Sequence, residues 1–483
     1  MKRTAGVLLH ITSLPGGFGI GGFGDEAKRF IDRLADAGFT FWQVLPFSQP
    51  DDFFSPYKSY SAFAGNYYLV DLRPLADAGL LTKGELDAAR QKTPYSCEFR
   101  RLEAERLDLL FRAAGRVTAR GAVTEFLRTH PEIEAYCRYM TLRQQNGNAA
   151  WCDWQDLTPD PETLFAWGFI QYEFFRQWAE IRAYAHKRGV KIIGDVPMYV
   201  SYDSADVFAH PHLFDLDAKG HPKHVAGVPP DYFAKDGQLW GNPLYRWEAH
   251  RATGYQWWIT RLWYCFELYD VVRIDHFRGF DEYFSIPYGS ETAAPGHWEK
   301  GPGIELFRAV EQALGKREII AEDLGYMSDT VRQLVRDSGF PGMKVLEFAF
   351  DSRDTGSASD YLPHNYPVNS VAYTGTHDNE TLVSWYQTIT GAERAMVRDY
   401  LFDYATPEEQ LYKSMIALIL RSAAATCIIP MQDWLGLDNS ARINQPSTVG
   451  QNWRWRLKKP QLTKKLQKEI CQLTTRYGRK NWA

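Results

Sequence analysis

The sequence predicts a (β/α)8 barrel, and three features of the chain support this fold class. Eight short apolar runs rich in β-formers recur along the 483 residues. Near-continuous apolar runs are typical of strands buried on both faces, as in a parallel sheet. Segments with helical spacing of apolar residues separate most of the runs, and barrels of this type with insertions reach more than about 400 residues.

The eight predicted strands follow one another in order along the chain. They are VLLHITSL from Val7, FTFWQVLPF from Phe39, VKIIGDVPMYV from Val190, YDVVRIDHF from Tyr269, REIIAEDL from Arg317, MKVLEFAF from Met343, SVAYTGTHD from Ser370 and ATCIIPMQDWL from Ala425. The segment GDEAKRFIDRLADAG illustrates the helices between them, because its apolar residues have helical spacing and Gly38 ends it.

Two gaps between predicted strands are too long for a single crossover. Residues 48–187 contain amphipathic stretches such as GELDAARQ and predict an inserted, mainly helical subdomain. Residues 201–256 are rich in Pro, Gly and aromatic residues and predict a long active-site loop region. We therefore interpret 1–483 as a single catalytic barrel domain with these two insertions, ending in a basic, solvated helix.

Composition narrows the possible functions. The formal net charge of −4 gives no reason to expect nucleic acid as a partner, and no run approaches the ~18 apolar residues that read as a membrane span. The six cysteines form no C-x-x-C pair, which is typical of a reduced, cytoplasmic protein. The first residues, MKRTAGVLLHITSLPGG, predict a strand rather than a signal peptide. The 16 Trp, 27 Tyr and 28 Phe suit both a large core and a sugar-binding surface.

Acidic residues gather at the ends of the predicted strands. In a barrel, polar residues at the carboxyl ends of the strands face the end that carries chemistry. The acids at these positions are Asp195, Asp275, Glu322, Asp323, Asp378 and Asp433. A single Asp after a strand is commonly a helix N-cap, but several like charges on one rim cost stability and indicate a use.

Cleavage of a glycosidic bond needs such a group of carboxylates. One carboxylate attacks the anomeric carbon while a carboxylic acid protonates the leaving oxygen, and in retaining enzymes the two lie about 5–5.5 Å apart. Arg273 shares a strand face with Asp275 and is expected to keep that carboxylate ionised, although a structural ion pair would have the same spacing. His377 is a candidate donor to a sugar hydroxyl.

A metal site is the alternative use of these side chains. His276, His377 and the acids are possible ligands, but the chain has no H-x-x-x-H pair and no D-x-D-x-D-G loop. The glycine runs between Gly16 and Gly24 lack the GK[ST] ending of a phosphate loop. We expect neither a metal nor a cofactor.

The chain also contains a series of distinctive sequence motifs. Ten segments occur in order along the chain: LLHITSLPGGFGIGGFG, SPYKSYSAFAGN, GDVPMYVSYDSADV, VPPDYFAKDGQLWGNPLY, VRIDHFRGF, IIAEDLG, GMKVLEFAF, YTGTHDN, PMQDWLGL and GQNWRWRL. With them the chain resembles the amylomaltases, the 4-α-glucanotransferases of glycoside hydrolase family 77 in the α-amylase clan. The resemblance covers nearly the whole chain.

The resemblance implies a role for each matching residue. Asp275 matches the nucleophile, Glu322 the general acid/base, and Asp378 the third carboxylate, which stabilises the transition state. The implied sugar-contacting residues, two of which lie in the covering loop 225–242, are Tyr57, Asp195, Gln238, Trp240, Arg273, His377 and Asn444. The implied substrates are α-1,4-glucan donors and acceptors, which are exchanged with retention of configuration, whereas the oligomeric state stays open.

Two other classes of function remain to be separated from transfer. A hydrolase of the α-amylase type would carry the same carboxylates and would release free reducing ends. A non-catalytic glycan-binding protein would keep the aromatic residues without the three acids, whose presence argues for an enzyme.

Overall fold

The protein is described by a computed structural model over residues 2–50, 53–93, 95–230, 235–325, 327–352 and 360–482. In chain order the strands are β1 (Thr4–Leu8), β2 (Phe41–Gln43), β3 (Lys191–Val196), β4 (His224–Val228), β5 (Gln238–Pro243), β6 (Val271–Ile274), β7 (Glu282–Pro287), β8 (His297–Lys300), β9 (Ile319–Ala321), β10 (Gly342–Val345), β11 (Ser370–Tyr373) and β12 (Thr426–Pro430).

Eight of these strands close into a parallel barrel in the order β1-β12-β11-β10-β9-β6-β3-β2. The predicted (β/α)8 barrel is therefore confirmed, and each of the eight apolar runs overlaps one barrel strand. The strands are shorter than the runs, because the later residues of each run cross the barrel rim. In the first run β1 ends at Leu8, and Ile11–Ser13 already forms a 3-10 turn.

Helices surround the barrel and build the first insertion. They are α1 (Asp25–Asp36), α2 (Leu72–Asp77), α3 (Lys83–Ala88), α4 (Phe99–Gly115), α5 (Gly121–Thr129), α6 (Pro131–Gln145), α7 (Pro161–Lys187), α8 (Ala205–Ala209), α9 (Trp247–Ala252), α10 (Gln256–Leu268), α11 (Ile304–Leu314), α12 (Asp329–Ser338), α13 (Leu382–Thr388), α14 (Gly391–Leu401), α15 (Leu411–Arg421), α16 (Met431–Trp434) and α17 (Lys464–Arg476). None of these described helices has the length and apolar composition needed to span a bilayer.

Between β2 and β3 the described residues form six α-helices, α2 to α7. The longest helix, α7, begins with an N-cap in which the Asp160 carboxylate accepts from Thr163 N, followed by Pro161. Farther along α7, the Gln171 amide accepts from Gly65 N at 2.8 Å and donates to Gly65 O at 2.9 Å. This pair of bonds fixes the SPYKSYSAFAGN segment beside the barrel rim. The subdomain limits at 48 and 187 stay a prediction.

The segment 201–256, predicted as a loop region, contains regular structure. Its strands β4 and β5 pair with each other and join β7 and β8 in an antiparallel sheet of order β5-β4-β7-β8. Residues 231–234, within the expected covering loop 225–242, lie outside the described residues. Sequence patterns do not predict this sheet, because β4 pairs with β7, and the barrel strand β6 lies between these two strands in the chain.

The end of the chain differs from the predicted solvated helix. Although α17 is largely exposed, Arg479 just beyond it is fully buried. Its guanidinium makes five hydrogen bonds, all to backbone carbonyl oxygens, of Thr4, Leu420, Ser422, Ala424 and Ala425. Two of these carbonyls lie at the C-terminal end of α15, where a helix favours a cation. Arg479 thus ties the final residues to the start of β1.

We expect Arg479→Ala to lower the melting temperature by several degrees, because five buried or part-buried carbonyl oxygens would each lose one donor, at a total cost of about 1–3 kcal/mol. Thermal unfolding followed by circular dichroism measures the change. Arg476→Ala, which alters an exposed side chain of the same tail, is the control and should melt close to wild type. Equal melting temperatures for the two variants would contradict the role given to Arg479.

Candidate active site

Three predicted site residues lie on adjacent barrel strands. Asp195 is the fifth residue of β3, Asp275 directly follows β6, and Glu322 directly follows β9. The backbone pairing continues past the strand ends, since Asp275 N donates to Val196 O at 3.0 Å and Glu322 N donates to Ile274 O at 3.1 Å. The three acids are therefore brought to the same end of the barrel.

Arg273 connects two of these acids. It lies opposite Asp195 in the β3–β6 register, and its Nη1 lies 2.6 Å from Asp195 Oδ2 and 3.0 Å from Asp275 Oδ1. The Arg273 side chain is 5% exposed and that of Asp275 30% exposed. Burial opposes the charge of Arg273, but the two carboxylates raise its pKa well above the ordinary value. A permanent cation therefore orients Asp275 while leaving it open to a ligand.

Glu322 has a different environment. Its Oε2 accepts from His276 N at 2.7 Å and its Oε1 accepts from Leu324 N at 2.9 Å. The first bond places the carboxyl group beside the residue that follows Asp275. Burial, and then the negative charge of Asp275, raise the pKa of Glu322 to about 7. One carboxyl group is thus held beside a guanidinium, while its neighbour retains a proton up to near-neutral pH.

Asp378 lies in the loop after β11 and joins the same group through side-chain contacts. Its Oδ1 accepts from Asn444 Nδ2 at 2.6 Å, and its Oδ2 lies 3.3 Å from His377 Nε2. The His377 ring stacks on Tyr57 at a centroid distance of 5.0 Å, and Tyr57 OH donates to Asp195 Oδ2 at 2.9 Å. Five predicted site residues therefore form one connected set across the rim.

The remaining two predicted residues lie on β5. The edge of Trp240 meets the ring of His276 at a centroid distance of 4.9 Å, which brings β5 against the residue after Asp275. Trp240 Nε1 donates to Gln238 Oε1 at 3.1 Å, and the Gln238 side chain is exposed. The four-stranded sheet thus borders the barrel mouth on the side of Asp275.

Two other rim acids have backbone partners instead. Asp323 Oδ1 accepts from Met343 N at 2.7 Å. Asp433, in α16, is buried and accepts from Leu382 N at 2.8 Å and from Thr374 Oγ1 at 2.5 Å. Both carboxyl groups are directed at the polypeptide and fix loops of the rim. The position of an acid after a strand does not reveal this direction.

The structure adds two residues that sequence reasoning did not assign to the site. Arg442 Nη2 donates to the backbone oxygen of Asp378 at 2.5 Å. Trp453 packs its ring against Tyr57 at 5.9 Å and against His377 at 5.8 Å. Trp453 belongs to the segment GQNWRWRL, one of the motifs that carry the family resemblance. Its position far along the chain from Tyr57 and His377 does not predict this contact. Within the described ranges, no three His, Cys, Asp or Glu side chains form a cluster suited to a metal ion.

This arrangement defines a class of enzyme. A barrel whose rim holds an arginine-bound carboxylate next to a carboxyl group of raised pKa has the equipment for acid-assisted attack at a glycosidic carbon. Three carboxyl groups, several aromatic rings and amide donors meet at the same mouth. This is the pattern of enzymes that act on sugars.

Comparison with known proteins gives the particular family. The family model described as 4-alpha-glucanotransferase, glycoside hydrolase family 77, matches residues 9–463. The 4-alpha-glucanotransferase of Streptococcus pneumoniae (TIGR4) is 43% identical over 502 aligned residues, covering 99% of this chain and 98% of that protein. That of Thermus thermophilus is 41% identical over 482 residues, with 95% of each chain covered.

A solved structure agrees with the sequence comparisons. The amylomaltase from Streptococcus agalactiae in complex with acarbose superposes with a TM-score of 0.95 at 38% identity, covering 99% of this chain and 100% of that one. The chain belongs to glycoside hydrolase family 77, the 4-alpha-glucanotransferases, and is an enzyme of this transferase class. The amylomaltase from Corynebacterium glutamicum, with a TM-score of 0.80 at 18% identity and coverage of 99% and 75%, shares the fold.

The raised pKa of Glu322 has a consequence for stability. Because the folded pKa of about 7 exceeds the ordinary 4.5, the stability contributed by this group is complete below about pH 4.5 and is lost as the pH rises through 7. Between pH 4.5 and pH 8 we therefore expect the free energy of unfolding of Glu322→Gln to rise by about 1–2 kcal/mol relative to that of wild type. This figure allows for solvent screening at a half-buried group. Melting temperatures at pH 4.5 and 8 test this, and a difference between variant and wild type that does not change with pH would contradict it.

Proposed function

We propose that the protein transfers segments of α-1,4-glucan between maltodextrin, starch or glycogen chains by a retaining double displacement. The observation that supports this best is the pairing of Asp275, held by Arg273, with the neighbouring Glu322, whose pKa is about 7. A nucleophile must be ionised and a general acid protonated at the same pH. Here Arg273 pairs with the proposed nucleophile, while the raised pKa of Glu322 supports its role as the proton donor.

In the first step the donor glucan lies with its scissile bond over Asp275. Glu322 donates its proton to the glycosidic oxygen while Asp275 attacks the anomeric carbon from the opposite face. The bond to the leaving oxygen breaks, the fragment with the reducing end departs, and a β-linked glucosyl ester of Asp275 remains. Asp378 stabilises the positive charge that develops on the sugar ring.

In the second step a 4-hydroxyl of an acceptor glucan replaces the departed fragment. Glu322, now ionised, takes the hydroxyl proton while the oxygen attacks the anomeric carbon. The ester bond breaks and Asp275 is released as carboxylate. Two inversions restore the α-1,4 linkage, and the number of glycosidic bonds is unchanged.

Substrate contacts are assigned to the residues around the three acids. Their side chains offer hydroxyl, amide and ring partners for sugar: Tyr57, Asp195, Gln238, Trp240, Arg273, His377 and Asn444. Of these, Asn444 and His377 contact Asp378, and Tyr57 contacts Asp195, so binding and catalytic groups are preorganised together. The free state of all six cysteines fits the proposed cytoplasmic location.

Transfer rather than hydrolysis requires that sugar outcompete water for the intermediate. The sheet of β4, β5, β7 and β8 lies beside Asp275 through the contact of Trp240 with His276. An aromatic wall at this point provides a surface for the acceptor sugar and limits the entry of water. We assign the acceptor side of the site to this wall.

Incubation with maltotriose tests the proposed reaction. The expected products are glucose and a ladder of longer oligosaccharides, with a constant number of reducing ends, because each bond cleaved is replaced by one formed. Chromatography and a reducing-end assay measure the two quantities. An increase in reducing ends as fast as the ladder forms would show a hydrolase instead.

Asp275→Asn is the catalytic control for this experiment. It should lower kcat by about 10³-fold or more, since the amide cannot form the ester, while glucan binding measured by calorimetry is retained. Asp323→Asn is the matched control, because the Asp323 carboxylate accepts from a backbone amide and should leave kcat near wild type. Full activity of Asp275→Asn would remove Asp275 as nucleophile.

The pH dependence provides a separate test of Glu322. The first step needs the protonated acid, so kcat/KM for maltotriose should fall about tenfold per pH unit above a pKa near 7. The value of kcat/KM falls as the pH rises because deprotonation of Glu322 removes the proton donor. Initial rates between pH 5 and pH 9 measure it. A profile that rises through this range would contradict the assignment.

A further inference from the structure

The loop that carries Asp378 runs without regular structure from Thr374, just after β11, to Leu382, the first residue of α13. Its shape depends on Asn379, whose Oδ1 accepts from Thr376 N at 2.9 Å and from Thr376 Oγ1 at 2.8 Å. Thr376 Oγ1 in turn accepts from Asp378 N at 3.3 Å. Asn379 therefore determines the turn that directs Asp378 towards the mouth.

Glu347 lies against this loop from the neighbouring strand. It follows β10 in the 3-10 turn Leu346–Phe348 and is 9% exposed. Its backbone N donates to Thr374 O at 3.2 Å, and its carboxyl group lies beside the side chain of Asn379. A Cβ added to Gly375 would lie 2.7 Å from Glu347 Oε1, so the loop approaches the carboxyl group as closely as only glycine permits. Both groups pack on Gly375, since a Cβ there would also lie 3.1 Å from Asn379 Cβ.

The charges around Glu347 are mostly of its own sign. The groups that act on it are Asp433 of α16, Glu380 of the loop, and Arg442 of the segment that follows α16. Burial, and then the charge of Asp433, raise the pKa of Glu347 well above its ordinary value. A glutamine amide at this position would keep the size of the side chain and remove the repulsion by Asp433.

We propose that Glu347 is a positioning residue of the transfer reaction, which holds Asn379 and through it the turn that aims Asp378 at the sugar. The inference rests on the proposed role of Asp378. Asp433 supports the same loop at both ends through Thr374 and Leu382, whereas Glu347 acts on its centre. Glu347 thus supports the loop that carries Asp378 and does not itself contact the substrate.

The inference predicts a specific kinetic signature. Glu347→Ala frees Asn379 and displaces Asp378, and a displacement of about 1 Å in a catalytic group costs about 10²-fold in rate. We expect kcat for maltotriose to fall by about this factor while KM changes less than about threefold. Glu347→Gln keeps size and polarity, so its kcat should stay within about threefold of wild type.

Two results would overturn the inference. One is a Glu347→Ala enzyme that is destabilised but keeps its kcat at temperatures below its melting point, which would make Glu347 merely structural. The other is a loss in Glu347→Gln equal to that in Glu347→Ala, which would show that the neutral, isosteric group does not support the loop.

A matched control separates stability from positioning. Glu173 of α7 is also buried, and it is bound by Arg176 and Gln177 in the helical insertion. Glu173→Ala should lower the melting temperature with kcat unchanged. If Glu347→Ala fails to fold, Asn379→Ala provides the test, because it breaks the same link without altering the buried acid. Unchanged kcat in Asn379→Ala would overturn the inference.

Asp378→Asn, measured beside these variants, distinguishes this inference from the proposed function. If Asp378→Asn keeps its kcat, the role assigned to Asp378 fails, whatever the result for Glu347. If Asp378→Asn is inactive while Glu347→Ala and Asn379→Ala are fully active, only the positioning role is refuted.

Discussion

The chemistry of the barrel mouth depends on the buried guanidinium of Arg273. A buried cation is costly unless it is paired, and here Asp195 and Asp275 both pair with it through the same nitrogen. Asp195 is fully buried and Asp275 partly open, so one carboxylate stabilises the cation while the other is presented to a ligand. Loss of Arg273 would leave the carboxyl groups of Asp195 and Asp275 side by side with no cation between them. The order of β3, β6 and β9 is what brings this unit together.

The rim acids differ in what their oxygens meet, and this difference decides what each can do. Asp275 meets a guanidinium, and Glu322 meets two backbone amides and a neighbouring negative charge. Asp433 meets backbone and hydroxyl donors of a loop, with a pKa raised by burial to about 6. An acidic residue at the end of a barrel strand thus suits the proposed nucleophile, the proposed proton donor or a structural support, depending on its partners. Environment, not position along the strand, separates these roles.

Sequence patterns predict the barrel and the positions of the acids, but they do not predict the directions of the side chains. Strands buried on both faces leave continuous apolar runs, which is why all eight were found. The antiparallel sheet was not predicted, because the barrel strand β6 lies between β4 and β7 in the chain. Nothing in the sequence of β4 or β7 indicates that the two strands pair. Asp195 and Asp275 could be placed on one rim by reasoning from strand ends. Asn444 was assigned to the site only through family resemblance, and its contact with Asp378 was not predicted. Glu347 was overlooked, since the run MKVLEFAF shows only a single acid among apolar residues.

The hydrogen bonds of Arg479 join the C-terminal part of the sequence to β1 at the end of the barrel opposite the carboxylate cluster. Strand β1 pairs with β12 as well as β2, and Arg479 binds Thr4 O and Ala425 O at the entry to that seam. In a chain made from its N-terminus, one edge of β1 therefore has no barrel partner until the residues of β12 have been made. The barrel cannot close before that point, and until then the open edge of β1 leaves backbone hydrogen-bonding groups unpaired.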